Sequence, residues 1–404
     1  MTIALFSDSY LPTKSGIVTV IIQLREQLIK LGHRVLLICP ETTAEFATND
    51  PDFYRVKSVP DIIFGTDQFG TVPNKKDICN FIKKNNVDIL HCHTEFSIAN
   101  ACLYVAKKLK IPAICTTHTM WIDFYKYYNL TKFLPGKVVE KYMNNLYKKF
   151  DALINVSSKA RNYYKKPKMI PKMPSVIIPN SIDTKKFEGI HLTAQERQNL
   201  RLKYGVQNDE ILFLFLGRVA EEKRVFELSE QCVKLVENHP KTKVMFVGKG
   251  PAYETLTKKL ENQIQANKII FTGYIDWTQV HEFYEVADVF ITASLSEMHS
   301  MTILEAQLCS LPIVARNDES YKDCIIPEVN GYLANSDDEL YDDMVEISKN
   351  EQKRQLFAKN SFEQTKNFSL EKNVKKTVFM YEEVIKAYPK KIDENDVAKR
   401  MEKI

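Results

Sequence analysis

The sequence predicts an α/β protein built from two doubly wound, Rossmann-like parallel sheets. Two observations carry that reading. Short apolar runs alternate with amphipathic helical patterns, which implies βαβ units and sheets covered on both faces. The alternation lapses in a polar stretch, Asp183 to Asn208, and then starts again. Length agrees, since 404 residues at ~150 per domain suggest two or three domains. Hydrophobic residues at 44% and charged residues at 26% describe a globular chain and exclude disorder, collagen and coiled coil for the whole.

In the first half, Thr2–Phe6 reads as a strand, Ile17–Leu31 as a helix and Val35–Cys39 as a strand. Lys76–Asn85 is helical, Val87–His91 a strand, Ser97–Leu109 a helix, Ala113–Thr117 a strand and Gly136–Phe150 a helix. Ala152–Val156 and Val176–Ile178 are further strands. After a helix at Thr193–Tyr204, the second series has strands at Ile211–Leu216, Lys243–Val247, Lys268–Thr272, Val289–Ala293 and Pro312–Ala315. Helices at Arg224–Glu237, Ala252–Ala266, Thr278–Val286 and Met301–Cys309 separate them. From Asp337 only helices are expected, and the charged tail after Pro389 reads as a loose amphipathic helix. The expected domains are 1–186, 187–370, and a C-terminal helix with its tail, 371–404, able to return to the first domain. Ligands of such sheets bind beyond the carboxyl ends of the strands, so a cleft between the two domains is the expected site.

The N-terminus lacks a basic region and a long apolar core, so no signal peptide is expected. The longest apolar runs fall far short of the ~20 residues a spanning helix needs. The eight cysteines form no CxxC pair and read as buried thiols in a reducing compartment. A net charge of +5 is too small to imply nucleic acid, and no recognition motif supports it.

With only 12 glycines, their positions are informative. Lys14-Ser15-Gly16 precedes a helix, where free backbone N–H groups suit a phosphate, although an ordinary βα turn has the same pattern. GxGxxG and GxxxxGK[ST] are both missing, which removes the main support for NAD-type and P-loop binding. Gly217-Arg218 ends a strand and Lys223 follows; an Arg fork and a Lys point charge suit a diphosphate, while Glu221 and Glu222 equally suit a solvated loop. Gly248-Lys249-Gly250-Pro251 and Gly273 end two more strands, and the glycines allow close backbone approach to a ligand. Glu297 and Glu305 flank a helix start at Ser300, Met301 and Thr302, where two carboxylates and free N–H groups can hold hydroxyls. Surface carboxylates would share that spacing. His118 ends a strand and can donate a hydrogen bond near a reacting carbon or be a satisfied strand-end histidine. His91 and His93 form an HxH pair without a third and fourth ligand at a known spacing, so no metal site is expected.

Together these stretches resemble the retaining glycosyltransferases of family 4. The strongest parts are Gly217-Arg218 with Lys223, Val247 to Pro251, Ala287-Asp288-Val289-Phe290, and Glu297 with Glu305 seven residues between. Phe6 to Pro12, His91 to Ser97, and Thr117-His118-Thr119 followed by Asp123 and Tyr125 most resemble the bacterial 1,2-diacylglycerol 3-glucosyltransferases. The resemblance implies a GT-B architecture. It implies a nucleotide-sugar donor, UDP-glucose, and diacylglycerol as acceptor, with no tightly bound cofactor and a divalent cation such as Mg as a candidate stimulant. By the same resemblance Arg218 and Lys223 stabilise the donor's diphosphate, Glu297 orients the sugar, and Glu305 binds the ribose. His118 touches the sugar, the Gly16 loop approaches the diphosphate, and Gly273 to Ile275 lies beside the base. The family's front-face chemistry retains configuration, with the leaving phosphate taking the acceptor's proton. Where this chain has Met298-His299-Ser300, many relatives have Pro-Phe and glycine.

Charge is unevenly spread. Residues 121–186 hold 14 basic and 4 acidic groups, net +10, whereas 187–404 are net −7. The basic segment also holds Trp121, Phe124, Tyr125, Tyr127, Tyr128, Phe133, Tyr142, Tyr147 and Phe150. Exposed aromatics beside Lys126, Lys137, Lys141, Lys148 and Lys149 suit an anionic membrane surface, while core aromatics with the lysines as a solvated face would give the same pattern. Trp121, Asp123 and Tyr125 are the expected acceptor side of that face. The location expected from this is the cytoplasmic face of the cell membrane, as a peripheral protein.

Overall fold

Ile3, Ala4, Leu5 and Phe6 of β1 (Thr2–Phe6) are fully buried, because helices cover both faces of their sheet. A strand buried on both sides needs no polar alternation, which is why it reads as a continuous apolar run. A computed structural model describes residues 1–13, 15–41, 49–60, 69–125, 133–183, 192–276 and 279–404. The chain divides into two units: Met1–Asn180 with Leu370–Ile404, and Ser181–Ser369.

The first unit's strands are β1, β2 (Arg34–Pro40), β3 (Phe53–Val56), a hairpin of β4 (Ser58–Pro60) and β5 (Phe69–Thr71), β6 (Ile89–Cys92), β7 (Ala113–Thr117), β8 (Ala152–Asn155) and β9 (Ser175–Ile177). Its helices are α1 (Gly16–Lys30), α2 (Lys75–Lys84), α3 (Ser97–Leu109), α4 (Trp121–Phe124), α5 (Gly136–Tyr147) and α6 (Ser158–Tyr164). Among the described residues seven strands form a parallel sheet in the order β3-β2-β1-β6-β7-β8-β9. One face packs Ala4, Phe6, Leu90 and Leu153 against Ile78 and Ile82 of α2, α3, and Met143 and Tyr147 of α5. The other packs Ile3, Leu5 and Ile114 against Ile21 and Leu28 of α1.

The second unit begins with α7 (Ala194–Lys203) and continues β10 (Ile211–Leu216), α8 (Val225–Asn238), β11 (Thr242–Val247), α9 (Tyr253–Lys259), α10 (Glu261–Gln265) and β12 (Ile269–Gly273). Then come α11 (Val280–Val286), β13 (Val289–Thr292), α12 (Met301–Leu308), β14 (Ile313–Arg316), β15 (Gly331–Ala334), α13 (Asp337–Lys349) and α14 (Glu351–Thr365). Its parallel sheet runs β12-β11-β10-β13-β14-β15, with layers on both faces. Both sheets thus have the doubly wound form that the alternation predicts.

Differences from the sequence reading lie at edges and short elements. The strands β3 and β15 and the helices α4 and α6 are too short for a periodic signal. The helix expected over Ala252–Ala266 breaks at Leu260, whose side chain turns into the core. The start expected for α11 at Thr278 lies outside the described residues.

The C-terminal helices α15 (Leu370–Ala387) and α16 (Glu394–Met401) belong to the first unit. Val374, Met380, Tyr381 and Val384 complete the layer beside α1. The tail is not loose. Val397 and Met401 are buried, and Glu394 accepts from Lys165 Nζ at 2.6 Å and from the Ser175 amide at 2.7 Å. A short amphipathic helix is unstable alone but holds where its apolar side is covered. No helix of the described residues is long and apolar enough to cross a membrane.

Candidate active site

The carboxyl ends of β1, β6 and β7 gather the first unit's unusual side chains. After β1, Asp8 is held by Thr94 Oγ1 at 2.8 Å, Ser97 Oγ at 3.0 Å and the Ile98 amide at 3.0 Å. It also accepts from Thr71 Oγ1. Helix α3 has no side-chain cap of its own, so Asp8 supplies one from a neighbouring strand. Burial raises its carboxyl above the ordinary value despite these bonds. Glu95, which follows β6, is 1% exposed. Burial pushes it up to about 8, although Tyr147 donates to it at 2.8 Å. Asp8 and Glu95 have no role in the sequence reading, since each follows a strand among polar neighbours, Ser7 and Ser9 or His93 and Thr94, as a surface carboxylate would.

Three histidines stack at the same edge. His91 bonds the Tyr381 hydroxyl through Nδ1 at 2.6 Å and Thr116 Oγ1 through Nε2 at 2.7 Å. Its ring lies 4.0 Å from that of His93, whose Nδ1 is 3.0 Å from Nε2 of His118. Burial holds all three below the ordinary histidine range, His91 at about 3 and His118 at about 4. They are therefore neutral near pH 7. His91 uses both ring nitrogens on hydroxyls, and His93 Nδ1 and His118 Nε2 face each other; no cluster of three or more ligating groups occurs among the described residues.

Beyond His118 the expected aromatic face is only partly there. Trp121 is 7% exposed and packs edge-on against Phe96 at 5.0 Å. With Tyr147 and Phe150 it belongs to the core. Trp121 is therefore not a surface anchor. Tyr125 is half-buried against the same core, and Asp123 pairs with Lys159 at 3.7 Å. Lys126 lies outside the described residues, as do Tyr127 and Tyr128. The outer face of α5 does expose Lys137 and Lys141 with Val138 and Tyr142, the turn after it exposes Lys148 and Lys149, and Phe133 just before it is 81% exposed. At the start of α1, Ser15 caps the Val18 amide at 3.4 Å, and Gly16 is exposed at the first turn. Lys14 lies outside the described residues.

In the second unit the loops after β10, β11 and β12 meet backbone to backbone. A side chain on Gly248 would sit 2.1 Å from the Gly217 carbonyl, and one on Gly250 2.4 Å from that of Val219. The Gly217 and Gly248 amides donate to Val247 and Gly273 carbonyls at 3.0 Å. The Cβ sides of Gly248 and Gly250 thus meet a neighbouring loop, where the sequence predicts a ligand. Arg218 is 54% exposed and 3.6 Å from Glu222. Lys223 pairs with Glu297, which brings the two residues together across 74 positions. Ser300 caps α12 through the Ile303 amide at 3.4 Å and touches Thr302 Oγ1 at 3.0 Å, while Met301 opens the helix. Ser300 therefore has a local role as an N-cap. Glu305 accepts from Tyr284 at 2.8 Å, and Ile275 is half-buried against the neighbouring core. Asp288 lies at the opposite end of the sheet, where it holds Arg197, Arg201 and the Leu212 amide.

Residues 14–186 match the family described as Glycosyltransferase Family 4, and residues 196–364 match Glycosyl transferases group 1. An alpha-monoglucosyldiacylglycerol synthase of Acholeplasma laidlawii is 31% identical over 97% of this chain and 100% of its own length. The chain is a family 4 glycosyltransferase. A second relative of this transferase, the alpha-monoglucosyldiacylglycerol synthase of Streptococcus pneumoniae, is 30% identical over 82% of the chain and 75% of its own length. The transferase shares its GT-B fold with a sucrose-phosphate synthase of Thermosynechococcus elongatus at a TM-score of 0.77 and 17% identity, covering 96% of this chain and 99% of that one. Anabaena HepE in complex with UDP matches at a TM-score of 0.75 and 17% identity, over 95% of this chain and 100% of that one.

Proposed function

We propose that this glycosyltransferase moves α-glucose from UDP-glucose to the 3-hydroxyl of 1,2-diacylglycerol, with retention, at an anionic membrane surface. The observation that carries the reading is the end-to-end likeness to the Acholeplasma laidlawii synthase. Within the second unit, the Lys223–Glu297 pair puts a cation beside a carboxylate, as a diphosphate and its attached hexose require. Arg218, with its exposed guanidinium, is a second cation for the leaving group, and Glu305 takes the ribose hydroxyls. By the family resemblance, the Gly16 turn is assigned to the diphosphate and His118 to the sugar. The leaving phosphate accepts the acceptor's proton, so no protein base is needed, and electrostatic stabilisation is the main contribution. The lysines of α5 with Phe133 and Tyr142 support docking on anionic lipid.

The test is incubation of the protein with a panel of nucleotide sugars and vesicles with or without diacylglycerol. Mass spectrometry and the product's anomeric NMR signal are the readouts. An α-glucosyl diacylglycerol formed from UDP-glucose supports the reading. Transfer only to another acceptor, or tight UDP binding without transfer, overturns it.

A further inference from the structure

The histidine stack fixes more than the position of His118. His93 Nε2 is buried and has no hydrogen-bond partner, while His93 Nδ1 lies 3.0 Å from His118 Nε2. A neutral imidazole carries one proton on one of its two nitrogens. Two arrangements are then open. If His118 donated from Nε2, His93 would accept on Nδ1 and its own proton would sit on the unpartnered Nε2. On the backbone, orphaned buried N–H groups are rarer than under-satisfied acceptors, and the ring is taken to follow the same preference. If His93 donates from Nδ1, only a lone pair is left unpartnered. His118 then accepts on Nε2, and its proton must be on Nδ1. No described residue bonds that nitrogen, and it is not sealed from the surface as His93 Nε2 is.

We infer that His93 is a positioning residue that locks His118 as the Nδ1–H tautomer, so that His118 offers the substrate a neutral hydrogen-bond donor and not a base. The ring of His91, held by Tyr381 and Thr116, stacks on His93 and keeps it in register. A donor at this place can bond a sugar or phosphate oxygen and cannot take the acceptor's proton. This inference rests on the proposed role of His118 in transfer, but its first readout does not.

Long-range ¹H–¹⁵N correlation spectra of histidine-labelled protein near pH 7 report the tautomer directly, with the His118→Gln variant assigning the signals. The expected result is a His118 ring protonated on Nδ1. A ring protonated on Nε2 overturns the inference, whether or not the protein transfers sugar. The second arm is kinetic. His93→Ala is expected to shift His118 toward the other tautomer and to lower kcat by about tenfold, the worth of one hydrogen bond. The donor's KM is expected to change little. His93→Asn keeps a donor near the Nδ1 position and is expected to restore both tautomer and kcat. An alanine variant with the wild-type tautomer and kcat, or an asparagine variant no better than alanine, overturns the positioning role. Loss of transfer from the wild type itself tells against the proposed function and leaves the tautomer reading to stand or fall on the spectra.

Discussion

The two sheets carry opposite electrostatics at their carboxyl ends. In the first unit the edge is buried and close to neutral: His91, His93 and His118 are held unprotonated, and Glu95 is pushed up to about 8. In the second the corresponding edge is ionic and half-open, with Arg218, the Lys223–Glu297 pair and Glu305. Burial disfavours charge, so the first edge offers neutral donors and acceptors, whereas the second can meet a diphosphate. The first unit's charge lies instead on the outside of α5. One fold built twice has thus been divided between two kinds of chemistry.

The sharpest way to break this comparison is at the ionic edge. Arg218→Ala and Lys223→Ala are each expected to lose ~10²–10³ in turnover, as for removal of one transition-state contact. Circular dichroism and thermal melting should show both folded. Near-normal turnover in both would remove the functional meaning of the contrast. Replacing Lys137, Lys141, Lys148 and Lys149 together by serine should weaken co-sedimentation with anionic vesicles by about 10²–10³, at ~1 kcal/mol per lysine. Wild-type binding should itself fall at high salt.

The neutral edge makes a prediction about pH. Between its unfolded value of 4.5 and about 8, Glu95 keeps a proton that the unfolded chain releases. Its effect is therefore a loss of stability as pH rises through that window. The buried histidines act the other way. Unfolded histidine binds a proton near 6.5 while the folded sites titrate at about 3 for His91 and about 4 for His118, so stability falls as pH falls below 6.5. Protection of β6 and α3 amides from exchange should peak near pH 6.5. Glu95→Gln should flatten the alkaline side, where the slope is at most about 1.4 kcal/mol per pH unit. An unchanged slope would show that Glu95 is ionised in the folded protein. The smallest effect is expected from Ser300→Ala, which removes the cap of α12 and should lower stability by ~1 kcal/mol, read as a lower melting temperature.

Much of the second edge was legible. Arg218 stands out as a charge directly after an apolar strand, Lys223 and Glu297 lie in the loops that follow β10 and β13, and the structure pairs Lys223 with Glu297. What could not be read was which glycine faces what. Gly248 and Gly250 invite a ligand in sequence, but their open sides are filled by the carbonyls of Gly217 and Val219. Trp121 could not be separated from Phe133 by residue type, yet one is core and the other exposed. Packing decides that difference: Trp121 meets Phe96 and the core of the first unit, whereas Phe133 lies outside α5 and remains exposed.

Periodicity in a single chain determined the two parallel sheets, because strand and helix are local consequences of apolar spacing. It also determined the basic segment and the order of the strand-end motifs. Tertiary structure decided which side chains lose contact with water. Tyr381 lies 290 residues from His91, and Glu394 lies 219 from Ser175, so no local pattern could foretell either bond. Desolvation and hydrogen bonding depend on neighbours in space, and through them the fold decides that His118 is neutral and which groups surround it.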